Sequence, residues 1–159
     1  MNKKQLILKV IEQLTSELEL YTRAARAAHA EATHEQSKAE HKYDTRGLEA
    51  SYLAHGQSKQ AAEIEKAIQE FQQLNPRHFG PEDPIDLGAV VELENKRDRS
   101  HYLMAPRGGG MDVFHEKREI LVITPQSPLG SQLVGKKQGD RLKLEIAGSR
   151  NEYAVVSVC

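Results

Sequence analysis

The residues of this chain best suited to chemistry are carboxylates at a helical break. The segment Tyr43-Asp44-Thr45-Arg46-Gly47-Leu48-Glu49 interrupts a proline-free stretch from Met1 to Asn75, with Glu40 just upstream. One or two carboxylates suffice to join a Mg²⁺ ion held mostly by another molecule's site, because the ion keeps waters and takes its remaining ligands from partner or substrate. Asp, Thr and Gly are also ordinary capping and turn residues, and Asp44 or Thr45 could equally cap a helix beginning near Gly47 or Leu48. Residue types alone leave both readings open.

Other candidates are weaker. His29, His34 and His41 do not put two imidazoles on one helical turn, and His55, His78, His101 and His115 are scattered along the chain. Gly108-Gly109-Gly110 lacks the lysine of a phosphate loop and the spacing of a dinucleotide fingerprint, and reads as a loop between strands. No Gly-x-Ser-x-Gly elbow or Cys/His pair supports a nucleophile. The single cysteine, Cys159, allows no intramolecular disulfide or Cys-based metal cage, which fits a reducing compartment.

The elements that would position the break are two helices. Ile7, Ile11, Leu14, Leu18, Tyr21, Ala25, Ala28 and Ala32 recur at alternating steps of four and three, a coiled-coil seam. Ala50, Leu53, Ala61, Ile64, Ile68 and Phe71 supply a second seam, so the two pair as an antiparallel hairpin. Arms of about 30 to 35 residues, rising about 1.5 Å each, give a slender projection on the order of 50 Å. Such a rod has too little core for an enzyme pocket, yet it can enter a channel.

All six prolines and nine of the eleven glycines follow residue 75. The sequence therefore divides into a coiled-coil hairpin at 1–75, a proline-rich linker at 76–84 and a second domain at 85–159. Runs at Ala89–Leu93, Ser100–Met104, Ile120–Ile123, Arg141–Ile146 and Glu152–Val158 predict five strands, with one short helix near Ser127 to Val134, an α+β domain. Lys/Arg and Asp/Glu balance at 22 against 23, which excludes bulk electrostatic binding of nucleic acid. The N-terminal apolar run is broken at Lys9, Glu12 and Gln13, so neither a signal peptide nor a membrane span is expected.

Ser127-Pro128-Leu129-Gly130, continuing through Leu133-Val134-Gly135-Lys136-Lys137-Gln138-Gly139-Asp140, resembles the signature of the Gre transcript-cleavage factors of bacterial RNA polymerase. Glu152-Tyr153-Ala154-Val155 and Asp86–Leu93 extend the likeness, and the hairpin length matches. The resemblance implies an FKBP-like C-terminal domain that docks on RNA polymerase beside its secondary channel while the hairpin enters it. It implies stimulated cleavage of backtracked transcripts, with Asp44 and Glu49 as the tip acids. These would help hold a Mg²⁺ of the polymerase near the transcript 3′ end, inside the complex only. The chain would have no cofactor of its own and would be a cytoplasmic monomer and an accessory factor, not an enzyme. The family's tip pattern, Gly-Asp-x-x-Glu-Asn-Ala-Glu-Tyr, is altered here: aligning on Asp44 puts Gly47 at its glutamate, and Glu49 becomes a substitute. A channel-binding regulator without cleavage activity therefore stands as the alternative. An FKBP-like prolyl isomerase or chaperone is a third, disfavoured because residues 85–159 offer only Tyr102, Phe114 and Tyr153 for an aromatic pocket.

Overall fold

The computed structural model describes residues 1–34, 38–40, 42, 44–146 and 148–159, with the side chain of Ile146 outside that description. Packing divides the chain into two compact units, one of Met1–Val10 with Glu70–Cys159 and the other of Ile11–Gln69. The proline segment that marks the change in composition lies inside the first unit. The ends of both helices pack with the sheet, and composition does not report packing.

The second unit is a helical hairpin formed by α1 (Lys3–Thr33) and α2 (Arg46–Gln73), whose outer ends belong to the first unit. Leu14, Ala28, Ala54, Ile64 and Ala67 are buried, so large side chains lie toward one end and alanines toward the other. Leu53, expected in the seam, is 55% exposed, and Ala54 is buried in its place. The midsection keeps a groove of about 620 Å³ between the helices, floored by Ala25, Ala54 and Ala61, because small residues leave interhelical space unfilled. No helix among the described residues is long and apolar enough to cross a membrane.

The first unit is built on a mixed sheet of β1 (Val90–Asn95), β2 (Asp98–Met104), β3 (Asp112–His115), β4 (Arg118–Ile123), β5 (Arg141–Ile146) and β6 (Ser149–Val158), with one helix, α3 (Pro128–Leu133). The spatial order is β3-β4-β2-β1-β6-β5, antiparallel except for the parallel pair β2–β4. The five expected strands are present, and β3 is an addition to them. Val91, Leu93, Met104, Ile123, Leu144 and Val155 turn to one face and form the main core with Leu133 of α3. Leu103, Ile120 and Val122 turn to the other face and are equally buried, as are Leu6, Val10 and Phe71 from the helix ends. The Lys3 ammonium donates to the Gly88 carbonyl at 3.0 Å and lies 4.6 Å from the centre of the Phe79 ring, while Arg107 Nε meets Glu70 Oε1 at 2.8 Å.

A half-buried carboxylate ties two central strands. Glu92 accepts from the Ser157 hydroxyl at 2.9 Å and from Arg99 at 3.1 Å. Burial pushes its pKa up, but the Ser157 hydrogen bond, His101 and Arg99 together outweigh burial and hold it below the ordinary value. With the folded value depressed, the stabilisation is present at neutral pH and is lost as pH falls through the folded pKa. Ser157→Ala is therefore expected to lower stability at neutral pH, where Glu92 is ionised, and by progressively less as pH falls through the folded pKa, read by urea unfolding followed by circular dichroism at a series of pH values.

Candidate functional site

The hairpin tip places the predicted acids at the start of α2. α1 ends at Thr33, about ten residues before the expected break, with the Thr33 hydroxyl donating back to the His29 carbonyl at 2.9 Å and His34 N closing on Glu31 O at 3.4 Å. The connection between the helices is correspondingly longer than the segment 43–49. His41 and Tyr43 lie outside the described residues.

Asp44 is partly buried, and both its carboxylate oxygens accept backbone N–H groups: Oδ2 from Glu40 and Oδ1 from Arg46, each at 3.2 Å. The second bond satisfies a donor at the first turn of α2, where four N–H groups lack helical partners. Thr45 provides the first helical acceptor, for Glu49 N at 2.8 Å, and its hydroxyl donates to Glu49 Oε1 at 2.9 Å. A carboxylate in the first turn also suits the positive end of the helix dipole. The capping role and the acidic tip are thus the same residues. Among the described residues, no group of three or more His, Cys, Asp and Glu side chains is placed to hold a metal ion. Glu40 is present at the tip through its backbone N–H; its side chain is exposed.

The motif that carries the resemblance folds into a second feature. Ser127 caps α3: its Oγ accepts from Gly130 N at 3.0 Å and donates to Thr124 O at 2.7 Å, while Pro128 opens the helix. Gly130 packs so closely that a Cβ would fall 1.9 Å from Thr124 O. Gly135 and Gly139 adopt φ of +81° and +92°, which a side chain would strain. These residues shape the backbone. Beside them Pro128 and Leu129 join Tyr102, Leu121, Leu144 and Tyr153 around an apolar cavity of about 560 Å³. Burial pushes the Tyr102 phenol up from its usual pKa, and nearby Tyr153 adds to this against a hydrogen bond from Ser100. Sequence reasoning did not anticipate that cavity. Two aromatics 51 positions apart meet only through the strand order, while Phe114 stands 68% exposed on β3.

The remaining histidines do not converge. His115 is buried with neither ring nitrogen hydrogen-bonded, its Nε2 3.4 Å from Glu116 Oε1. His101 is held below its ordinary pKa by burial, against the pull of Glu92.

Residues 80–159 match the family model described as "Transcription elongation factor, GreA/GreB, C-term". The "Transcription inhibitor protein Gfh1" of Thermus thermophilus is 31% identical over 124 residues, spanning 73% of this chain and 72% of that protein. Its counterpart in a second strain of the same species is 30% identical over the same shares. The crystal structure of Thermus aquaticus Gfh1 aligns over 92% of both chains at 26% identity, with a TM-score of 0.40.

Proposed function

The chain belongs to the GreA/GreB family of transcription elongation factors, and from that premise we propose that it binds RNA polymerase, extends its hairpin into the secondary channel and restrains transcription without stimulating transcript cleavage. The observation that carries this reading is the engagement of Asp44: both carboxylate oxygens already accept backbone N–H groups that hold the tip turn. Each oxygen keeps a second lone pair, but the two bonds fix the orientation of the carboxylate to the turn, and Mg²⁺ demands near-octahedral ligands at short distance, so Asp44 is set for the turn rather than for a metal. Glu49 is similarly bonded to Thr45, and Gly47 stands where a family glutamate would be. The relatives named transcription inhibitors favour the same choice between the two polymerase-binding readings.

In this reading the globular unit docks on the polymerase surface, with the apolar cavity bounded by Pro128, Leu129, Tyr102 and Tyr153 as the face that takes a partner side chain. The hairpin supplies reach, and the chain remains an accessory factor.

Purified bacterial RNA polymerase, assayed for run-off synthesis and for shortening of a stalled, backtracked transcript, distinguishes the possibilities. The expected result is reduced run-off with no increase in short 3′ fragments over polymerase alone. Mg²⁺-dependent fragment release that rises with added protein would instead make it a cleavage factor. No effect in either assay, with no binding, would remove the polymerase reading.

A further inference from the structure

The fold treats the two edges of its sheet differently. At β3 the Phe114 carbonyl accepts from the Lys9 ammonium at 3.0 Å. At the opposite edge β5 pairs only with β6, and among the described residues no backbone hydrogen bond outside that ladder reaches residues 141–146. A strand with unpaired outer N–H and C=O groups is a template for another strand. Leu142 and Leu144 are buried in the core, while Arg141, Lys143 and Glu145 are exposed, so an added strand would meet charge on one face.

That charge is unbalanced. Inward of the edge, over β6, lies a polar groove of about 540 Å³ lined by Arg141, Arg150 and Glu152 and, on its β1 side, Glu94 and Lys96. Glu152 is paired with Arg141 at 3.4 Å and Glu94 with Arg99 at 3.7 Å. Among the described residues the side chains of Lys143 and Arg150 have no hydrogen-bond or ion-pair partner, and Glu145, which faces Arg150 across the ladder, is the one unpaired acid on β5 and β6. On β5 and β6 two unpaired cations against one unpaired acid border an open strand.

We propose that the β5 edge docks an extended acidic segment of a partner protein, which adds as a further strand and sets its carboxylates over Lys143 and Arg150. Backbone pairing supplies the orientation and the cations select the charge. This surface is separate from the tip and does not depend on how the tip acts.

The test uses the full isotope-labelled chain with three probes: an acetylated and amidated Glu-Val-Glu-Val-Glu-Val peptide, its Lys-for-Glu counterpart, and a single-stranded RNA oligonucleotide. The Glu peptide is expected to shift β5 resonances saturably and to slow exchange of the outward amides of residues 141–145, and the Lys peptide is not. Lys143→Glu and, separately, Arg150→Glu are each expected to weaken that binding by about fivefold with unchanged thermal unfolding, since both side chains are exposed. Absence of β5 protection, or equal response to both peptides, would leave the edge charges as a guard against self-pairing and overturn the proposal. So would RNA binding to the same cations in place of the peptide.

Discussion

Gly130→Ala is expected to cost the globular unit about 3 kcal/mol or more, enough to unfold much of the population. The added Cβ would lie 1.9 Å from Thr124 O and 2.8 Å from Ser127 Oγ. Neither neighbour can retreat cheaply. Thr124 O is a backbone acceptor for both Ser127 N at 3.0 Å and Ser127 Oγ at 2.7 Å, and Ser127 Oγ is the cap of α3. Relief of the clash would release the cap, and with it the position of Leu133, which is fully buried in the main core. Gly56→Ala tests the sign of the argument. Gly56 lies in the exposed interior of α2, and a Cβ there meets nothing within 4 Å. Alanine at 56 should stabilise the hairpin by up to about 1 kcal/mol, since glycine is the poorer helix former. Urea unfolding followed by far-ultraviolet circular dichroism reads both; a Gly130→Ala protein with parental stability would contradict the close packing.

The strong signals in the chain were those where local chemistry and global packing agree. Ser127-Pro128 announces a capped helix by residue type, and α3 begins there. The seam of α1 is legible because large apolar residues recur regularly, and Ile7, Leu14 and Ala28 are buried as expected. In α2 the pattern is degenerate between Ala50 and Ala62, where alanine and serine occupy several possible seam positions, and Leu53 drew the reading to the wrong face. The end of α1 carried no sign at all: residues 34–42 contain neither glycine nor proline, so nothing in residue type stops the helix at Thr33. β3 was hidden by its turn. Glu116 and Lys117 adopt φ of +49° and +62°, the backbone of a tight hairpin normally announced by Asn or Gly, and these residues give no such announcement. The same limit applies at the tip. Capping and metal binding draw on the same residue types, and only the positions of the Glu40 and Arg46 N–H groups separate the roles.

That separation makes Asp44 the most informative position in the hairpin. Asp44→Asn is expected to leave inhibition of run-off transcription within about twofold, because the amide oxygen still accepts from Arg46 N and caps the helix almost as well as a carboxylate, and only the bond from Glu40 N is lost. Asp44→Ala removes both acceptors, from Glu40 N and Arg46 N, and leaves the first turn of α2 without its side-chain partner. At about 1 kcal/mol for a lost cap, the ratio of ordered to disordered tip falls about fivefold, and the half-inhibitory concentration should rise by up to that factor. Binding measured separately should change less if the globular unit supplies most of the contact. A metal ligand behaves otherwise: the neutral amide would be as damaging as alanine, and the effect would track Mg²⁺ concentration, because an amide oxygen lacks the charge that holds the ion. Equal loss in Asn and Ala variants would therefore assign Asp44 to the metal, whereas tolerance of Asn with loss in Ala assigns it to the turn. The Thr45 to Glu49 bond at 2.9 Å gives the same contrast one residue on, since Glu49→Gln keeps an acceptor for the Thr45 hydroxyl and a metal site would lose its charge.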